Sequence, residues 1–338
     1  MARIAVIGTG LIGTSLALAI RQSQLKDIEM VGTDYDSQVR AAAQKTGAFH
    51  RMEGRLSSAV RDAEVVVMAT PVLAMRDMME ALAAELPDGC VLTDVGSSKG
   101  EVLKWAGELL PKHVNFVGGH PMAGKETSGP ENADPNLFRG KPYCIIPSPY
   151  VEQQAVSTIT TLAEAVGAKP YFINVDEHDS FVAAVSHLPF ILSTALMETA
   201  SKSANWDDIA QLASSGFHDM SRLAAGDSVM HRDIAVSNRE PIVAWIDSFI
   251  RELYEIRNML NVEEEPDPAT VEATFEHAST ERARWLAGLV SPAARTAGPT
   301  PDIPTFGESM GEMLMGRKGV EAQKRFMGNF RDGKRKKK

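Results

Sequence analysis

The sequence has only two cysteines, Cys90 and Cys144, in 338 residues. They are too few and too far apart to indicate a disulfide framework or a zinc site, so we expect no metal and a reducing, cytoplasmic location. The chain also lacks an excess of basic residues, because its formal net charge is -9 at pH 7. This acidic balance argues against nucleic acid or an anionic membrane as the main partner.

A long uninterrupted hydrophobic run is missing as well. The apolar start of the chain, residues 1–20, is broken by glycines at positions 8, 10 and 13 and has no small-residue cleavage site. We therefore expect neither a targeting peptide nor a membrane span. The length, with 44% apolar and 23% charged residues, is typical of a globular protein with two domains.

The most informative local motif is the stretch RIAVIGTGLIGTSLALAIRQ near the start. A β-branched strand over residues 4–7 precedes a GxGxxG pattern, and a helical run follows from Thr14. The first glycine permits a tight turn, the second lets the backbone approach a pyrophosphate, and the third lets the helix pack on the strand. The helix N-terminus adds free N–H groups and positive dipole. The predicted cofactor contacts in this loop are Gly8, Gly10, Leu11, Ile12 and Gly13.

A second predicted strand ends in an acidic residue, in the sequence IEMVGTDYD. Asp34 lies 21 residues after Gly13, about where a carboxylate binds both ribose hydroxyls of NAD. A carboxylate there would repel the extra phosphate of NADP, so the motif predicts NAD as the cofactor. Asp36 is an alternative for this role, and either residue could simply belong to a turn after the strand.

Strands and helices then alternate to about residue 174, which predicts an α/β Rossmann-type domain over residues 1–174. Buried strands are expected within residues 63–71, 89–98 and 114–121. Thr70, Pro71 and His120 follow the ends of such strands, and ligands bind at the carboxyl edge of an open α/β sheet. His120 precedes a proline in the loop GGHPMAGKETSG, so this edge favours a functional histidine over an exposed loop residue.

From residue 175 to residue 289 the pattern is helical, which predicts an all-α second domain. Its apolar stripes are broad enough for a homodimer interface, although core packing is the alternative for any single stripe. In the sequence SHLPF, Pro189 interrupts the helical run beside His187 and should kink the helix there. Asp219 and Arg222 are three residues apart and can share one helix face, either for function or as a surface ion pair.

Taken together, several motifs give the chain a resemblance to a known family. The sequences GTGLIGTS, TDVGSSK, GGHPMAGKETSG, LFRGKPY, VSHLP and GFHDMSRLA occur in this order and spacing. Over residues 1–285 the chain resembles the prephenate and arogenate dehydrogenases of tyrosine biosynthesis. The resemblance implies a dinucleotide domain, a helical dimerisation domain and NAD-dependent oxidative decarboxylation of prephenate to 4-hydroxyphenylpyruvate.

The resemblance also implies roles for individual residues. His120 would accept the proton of the ring hydroxyl as the hydride leaves, and Ser97 would share the hydrogen bond of that hydroxyl. Ser98 and Lys99 are near alternatives to Ser97. Arg222 would bind a substrate carboxylate, oriented by Asp219 and Glu126. His187 is the remaining polar group expected at the substrate.

The sequence departs from the family pattern at VMHRDI, where His231 stands in the place expected for tryptophan. The choice between prephenate and arogenate therefore stays open, and His231 could also be an exposed helix residue. A β-hydroxyacid-type dehydrogenase is an alternative, although that class uses a lysine where this chain offers His187. A non-catalytic NAD-binding sensor would need the glycines and Asp34 but not His120, Ser97 and Arg222.

The last stretch, residues 290–338, reads as a Pro-rich linker and a basic tail with little apolar periodicity. Such a composition predicts poor order. It does not resemble the regulatory ACT domain that some relatives of the family append. A short amphipathic helix over residues 306–315 that docks on the protein is a further hypothesis.

Overall fold

The computed structural model describes residues 2–262 and 265–290. Apart from Val290, the predicted linker and tail, including the hypothetical helix over residues 306–315, lie outside the described residues. The chain forms two compact units, with the boundary between Tyr254 and Glu255. The sheet and the candidate site both lie in the first unit.

The first unit contains one eight-stranded sheet, with the order β3-β2-β1-β4-β5-β6-β7-β8. Strands β1 to β6 are parallel, β7 is antiparallel to β6, and β8 is parallel to β7. This doubly wound sheet confirms the predicted Rossmann-type fold. The strands are β1 Ala2–Ile7, β2 Ile28–Thr33, β3 Arg51–Glu53, β4 Val65–Met68, β5 Val91–Asp94, β6 Asn115–Pro121, β7 Pro142–Pro147 and β8 Lys169–Phe172.

The helices flank this sheet and then form the rest of the described chain. Within residues 175–262 and 265–290 there is no strand, in agreement with the predicted all-α second region. The helices are α1 Leu11–Gln22, α2 Ser37–Lys45, α3 Leu56–Val60, α4 Ala74–Leu82, α5 Gly100–Leu109, α6 Gln153–Ala165, α7 Val175–Val182, α8 Leu188–Ser201, α9 Trp206–Gln211, α10 Ser215–Ser221, α11 Ser228–Ser237, α12 Arg239–Leu260 and α13 Pro268–Leu286.

The sheet is buried on both faces, which is why its central strands are continuously apolar. In β4, Val65 and Val67 point into a core that also contains Leu16 of α1 and Ile159 of α6. The alternate residues of β4 point into a second core, formed largely by α4 and α5. Because successive side chains of a strand point to opposite faces of the sheet, β4 contributes to both cores.

Strand β6 extends beyond its parallel neighbour. Its pairing with β5 ends at Val117, whereas Gly118 to Pro121 pair with the antiparallel strand β7. The expectation that His120 lies in a loop just past a strand is therefore wrong: His120 is inside β6, opposite Cys144. The reason is that β7 supplies backbone partners for β6 after β5 has ended.

The helical run is irregular next to Pro189, while the kink expected there stays a prediction. The segment Ala183–His187 is a π-helical turn between α7 and α8, directly before the proline. A proline has no N–H for the carbonyl four residues earlier, and a π-turn accommodates such a register change.

By length and composition, the helical run Val175–Ser201 is apolar enough to cross a membrane. A core helix of a globular protein passes the same test, so this composition is weak evidence for a span. The run carries His178, Asp179 and His187, which are buried and hydrogen-bonded inside the protein.

Candidate active site

In the glycine-rich loop after β1, two positions have no room for a side chain and a third faces open space. A Cβ at Gly8, whose φ is 91°, would lie 2.4 Å from the carbonyl oxygen of Ala69, and one at Gly13 would lie 2.0 Å from the carbonyl oxygen of Gly8. A Cβ at Gly10 would meet nothing within 4 Å. Gly10 therefore leaves room for a ligand at the start of α1, where Leu11 and Ile12 present free N–H groups.

The acid that follows β2 is tied to this loop. Asp34 accepts a hydrogen bond from the N–H of Thr9 at 2.8 Å and one from the N–H of Asp36 at 3.1 Å. Asp36 itself caps α2, where its carboxylate accepts the N–H of Gln38 at 2.7 Å. This cap function accounts for Asp36, so Asp34 is the carboxylate placed beside the glycine-rich loop.

The turn after β4 completes this end of the sheet. A Cβ on Gly8 would come within 2.7 Å of Cγ2 of Thr70, so the two loops pack against each other. Pro71 follows and is exposed. The structure thus brings all the predicted cofactor residues to the carboxyl ends of β1, β2 and β4, an arrangement that fits a dinucleotide.

His120 is buried and belongs to a hydrogen-bonded chain of three side chains. Its Nδ1 lies 2.9 Å from Nε2 of His178, and Nδ1 of His178 lies 2.7 Å from Oδ1 of Asp179. Asp179 in turn accepts the N–H groups of Lys99 and Gly100, at 2.8 and 2.7 Å, at the start of α5. The N-terminus of a helix therefore anchors the carboxylate end of the chain.

This series of hydrogen bonds orients the imidazole of His120. Burial acts to raise the pKa of Asp179, but the hydrogen bonds from His178 and from the helix N–H groups outweigh it and lower the pKa. The ionised carboxylate accepts from Nδ1 of His178, so in neutral His178 the Nε2 atom accepts from Nδ1 of His120. The free electron pair of His120 is then on Nε2, the nitrogen that can take a proton.

The surroundings keep His120 unprotonated. Burial lowers the pKa of His120 well below 6.5, and His178, Lys99 and His187 lower it further. An imidazole with such a pKa is neutral at physiological pH and can act as a base.

A buried ion pair lies under this strand. Lys99 and Asp94, both fully buried, are in direct contact through Nζ and Oδ2. Asp94 also accepts the N–H groups of Gly96, at 2.8 Å, and of Gly119, at 3.2 Å. The pair connects the end of β5 to the backbone next to His120, so Lys99 has a structural partner of its own.

The serines of the same turn differ in their contacts. Ser98 is buried, and its Oγ lies 2.6 Å from Oγ of Ser237. Ser97 is half-buried in the turn between β5 and α5, and its hydroxyl makes no hydrogen bond within the described part of the chain. Of the residues considered for the hydroxyl contact, Ser97 is thus the one without a structural partner.

His187 is fully buried at the end of the π-helical turn. Its Nδ1 lies 2.9 Å from Nδ2 of Asn238, and its Nε2 has no hydrogen-bond partner among the described residues. Burial is the largest cause that lowers the pKa of His187 to about 4. His187 is therefore a neutral side chain with one ring nitrogen still to be paired.

Arg222 contacts Glu126 directly, and both side chains are largely exposed. Asp219 does not join them: it is exposed and lies 3.6 Å from His218. The expectation that Asp219 orients Arg222 finds no contact here, because the guanidinium of Arg222 is turned to Glu126 and the carboxylate of Asp219 lies beside His218. Residues three apart can share a helix face, but Glu126, 96 residues away in sequence, takes the guanidinium instead.

His231 is half-buried on α11 and stacks on Phe190, with ring centroids 4.2 Å apart and an angle of 4° between the planes. Burial lowers its pKa, although Asp227 acts in the opposite direction. Phe190 lies 6.1 Å from His187, measured between ring centroids. His231 therefore belongs to an aromatic cluster next to His187 and is not a fully exposed helix residue.

Three buried residues of the site were missed by the sequence reasoning: His178, Asp179 and Asn238. A usable signal exists for two of them, since His178 and Asp179 precede the buried Val182 and Ala183 by four residues each. That spacing places them on the apolar face of the helix, where unpaired polar groups are costly. No comparable local signal marks Asn238. Among the described residues, no group of three His, Cys, Asp or Glu is placed to hold a metal ion.

Comparisons with known proteins identify the family of this chain. Residues 16–172 match the family model for the nucleotide-binding domain of prephenate dehydrogenase, and residues 174–273 match that for its dimerization domain. The chain is 34% identical over 263 residues to a prephenate dehydrogenase of Bacillus subtilis (strain 168), covering 77% of this chain and 71% of the relative.

Solved structures show the same similarity. A prephenate dehydrogenase from A. aeolicus, in complex with hydroxyphenyl propionate and NAD+, aligns with a TM-score of 0.74 and 26% identity, over 86% of this chain and 98% of that chain. An arogenate dehydrogenase from Synechocystis aligns with a TM-score of 0.70 and 26% identity, over 84% of this chain and 99% of that chain.

Proposed function

This chain belongs to the prephenate dehydrogenase family, and we propose on that premise that it catalyses NAD-dependent oxidative decarboxylation of prephenate to 4-hydroxyphenylpyruvate in tyrosine biosynthesis. The observation that carries the proposal is the series of hydrogen bonds from Asp179 through His178 to His120. It presents a neutral, oriented base at the same sheet edge as the glycine-rich loop. A dehydrogenase that oxidises an alcohol needs this combination, whereas an NAD-binding sensor does not.

The reaction requires a proton acceptor at the ring hydroxyl. As the C–H bond of the carbinol carbon breaks, its electron pair leaves as hydride and bound NAD accepts it. Nε2 of His120 takes the hydroxyl proton, and the O–H electrons form the carbonyl. The ring carboxylate then leaves as CO2, its bonding electrons make the ring aromatic, and the resulting phenolate takes back a proton. Such a base contributes about 100- to 10,000-fold to the rate.

The residues around the glycine-rich loop fit NAD rather than NADP. The space beside Gly10 admits a pyrophosphate, and the N–H groups of Leu11 and Ile12 are free to bind it. The carboxylate of Asp34 would accept hydrogen bonds from the adenosine ribose and would repel a ribose phosphate. Gly8, Gly13, Thr70 and Pro71 shape the same cleft.

The substrate carries two carboxylates, and this acidic chain has to supply positive charge locally. We assign one carboxylate to Arg222, whose guanidinium is held by Glu126. The hydroxyl of Ser97 would share the hydrogen bond of the ring hydroxyl with His120. His187 would donate to a substrate oxygen, while Asp219 has no assigned contact.

Arogenate dehydrogenase is the second candidate, and His231 is the observation that favours it. In this chain an imidazole occupies the position expected for tryptophan and stacks on Phe190. Prephenate and arogenate differ in the side chain, a keto acid in one and an amino acid in the other, so a changed pocket residue can change the preference. Family membership removes the case for a β-hydroxyacid-type dehydrogenase.

Further proposals concern assembly and location. Apolar side chains of Val243, Trp245, Ile250 and Leu253 on α12 are about half exposed. Together with the matched dimerization domain, they support a homodimer formed by a helical domain over residues 175–289. We propose a cytoplasmic enzyme whose ligands are small molecules, with neither nucleic acid nor membrane as a partner.

The test is a set of parallel initial-rate assays of NADH or NADPH formation with the full chain. Prephenate and arogenate are each offered with NAD and with NADP, and the product is identified. We expect prephenate and NAD to give the highest kcat/KM, with CO2 released in equal amount to NADH. A higher kcat/KM for arogenate would keep the mechanism and reassign the side-chain pocket. Turnover of neither substrate would overturn the proposed function.

A further inference from the structure

Asn238 lies at the junction of α11 and α12, and its side chain is buried. Its Nδ2 donates a hydrogen bond to the carbonyl oxygen of Asp179 at 2.9 Å and also lies 2.9 Å from Nδ1 of His187. An amide NH2 group carries two hydrogens and no available lone pair. Both partners of Nδ2 must therefore be acceptors.

The backbone of Asp179 fixes which way the amide points. If the amide were turned over, Oδ1 would face the carbonyl oxygen of Asp179, and two acceptors would oppose each other in a buried place. The Nδ2 group consequently faces His187 as well. Since Nδ1 of His187 accepts this hydrogen bond, the ring proton of the neutral imidazole is on Nε2.

Nε2 of His187 is the atom that this arrangement turns into a donor. It is buried and has no hydrogen-bond partner among the described residues. His187 also ends the π-helical turn Ala183–His187, a type of irregularity that is frequent at functional sites. A buried donor without a partner is costly in a folded protein, so an acceptor on a ligand would complete it.

We propose that Asn238 is a positioning residue that holds His187 as a neutral imidazole protonated on Nε2, ready to donate a hydrogen bond to an oxygen of the substrate. The identity of that acceptor rests on the proposed function, whereas the tautomer does not. Removing Asn238 would free the ring to carry its proton on Nδ1. Nε2 would then be an acceptor and would repel a substrate oxygen.

The charges around His187 agree with a neutral ring. Burial lowers its pKa most, the nearby His178 lowers it further, and Asp179 acts in the opposite direction. A positive imidazolium would also need a hydrogen on Nδ1, directly against the N–H of Asn238. Asp179 thus serves two histidines: its carboxylate orients His178, and its carbonyl orients His187 through Asn238.

The direct test is a nitrogen–proton correlation spectrum of the histidine side chains in the full wild-type chain. The signals of His187 are assigned by their loss in His187→Gln. We expect a proton on Nε2, a bare Nδ1 and no change from about pH 8 to about pH 5. A proton on Nδ1, or titration of His187 near its ordinary pKa, would overturn the proposal. This spectrum needs neither substrate nor cofactor, so its outcome is independent of the proposed function.

Asn238→Asp supplies a second readout. The introduced carboxylate accepts instead of donating, so His187 should move its proton to Nδ1 or become charged, and its pKa should rise. For the substrate we expect KM to rise about tenfold or more with a smaller change in kcat, since a binding contact is lost. The matched control is Asn205→Asp, because Asn205 is exposed and caps nothing with its side chain.

Two results of the Asn238→Asp experiment would contradict the proposal: an unchanged tautomer of His187, or an unchanged KM in a folded variant. If the variant does not fold, the wild-type spectrum still decides the tautomer. A general loss of structure would also lower kcat and would move every histidine signal. A positioning role would move only the signals of His187 and its neighbours.

Discussion

Nδ1 of His120 lies 2.9 Å from Nε2 of His178. This contact joins strand β6 to α7, the first helix after the last strand of the sheet. The proposed base comes from β6 and its orienting partner from α7, and the N-terminus of α5 holds the carboxylate beyond them. Three separate elements therefore fix one proton-accepting nitrogen. The predictions below test this arrangement, the cofactor loop and the buried charges.

The first prediction concerns the pH dependence of the reaction. His120 must be unprotonated to act as a base, and its pKa is lowered well below 6.5, chiefly by burial. The kcat/KM of the wild-type enzyme, which reports the pKa of the base in the free enzyme, should therefore stay constant as the pH falls through 6.5 and decline only at lower pH. Initial rates between about pH 5 and about pH 9 measure it. An acid limb centred at 6.5 or above would contradict an orienting chain that keeps His120 neutral.

The second prediction concerns stability. His120 and His187 have pKa values below the ordinary value of 6.5, and that of His187 is about 4. As the pH falls from 6.5 towards 4, the unfolded chain binds protons that the folded chain does not, so the free energy of unfolding should decrease. His187→Gln should reduce this slope by about one proton. Denaturant unfolding at several pH values measures the slope.

The control for this prediction is His218→Gln, since the side chain of His218 is exposed and lies 3.6 Å from that of Asp219. It should leave the slope of the free energy of unfolding unchanged. If both variants behave alike, the buried histidines do not account for the acid sensitivity.

The third prediction separates cofactor binding from folding in the glycine-rich loop. A Cβ at Gly10 meets nothing, and φ at this position is -70°, so Gly10→Ala should fold normally but obstruct the pyrophosphate. We expect NADH affinity to fall at least about tenfold, with the free energy of unfolding changed by less than about 0.5 kcal/mol. Gly13→Ala should instead destabilise the fold by about 2 kcal/mol or more, because its Cβ meets backbone.

Fluorescence titration with NADH and denaturant unfolding measure the two effects. Gly107→Ala is the matched control: a Cβ there also meets nothing, but the residue lies inside α5 and away from the loop. It should neither weaken NADH binding nor lower the free energy of unfolding. Undiminished NADH binding by Gly10→Ala would show that the pyrophosphate does not lie beside Gly10.

The fourth prediction concerns the buried ion pair of Lys99 and Asp94. Lys99→Met leaves the carboxylate of Asp94 buried without its charge partner, which should lower the free energy of unfolding by about 3–5 kcal/mol. Lys104→Met, an exposed position on α5 that lies 3.9 Å from Glu101, should change it by less than about 0.5 kcal/mol. Equal, small effects of both substitutions would argue against a structural role for the Lys99 pair.

The parts of the fold that the sequence predicts are those with local signals. The alternating cores of β4 and the glycine spacing after β1 depend on neighbours within a few residues, so they can be seen in the sequence. His120 was misplaced in a loop because its strand is extended by pairing with β7, more than twenty residues later. Local glycines and a proline gave no sign of that partner.

The site also depends on contacts between distant residues. His178 follows His120 by 58 residues, and Asn238 follows His187 by 51. Such contacts exist only after the chain has folded, and no local pattern encodes them. Asp219 shows a different failure: a suitable local spacing did not predict the partner of Arg222, because Glu126, 96 residues away in sequence, binds the guanidinium.

The most direct test of the central claim is the rate of NADH formation from prephenate and NAD by the wild-type enzyme and by His120→Asn. Asparagine keeps a polar side chain but cannot take the hydroxyl proton. We predict turnover by the wild type, a loss in kcat of about 100- to 10,000-fold in the variant, and unchanged NADH binding. Full activity of a folded His120→Asn variant would contradict the account, because the oriented imidazole would then not be the base.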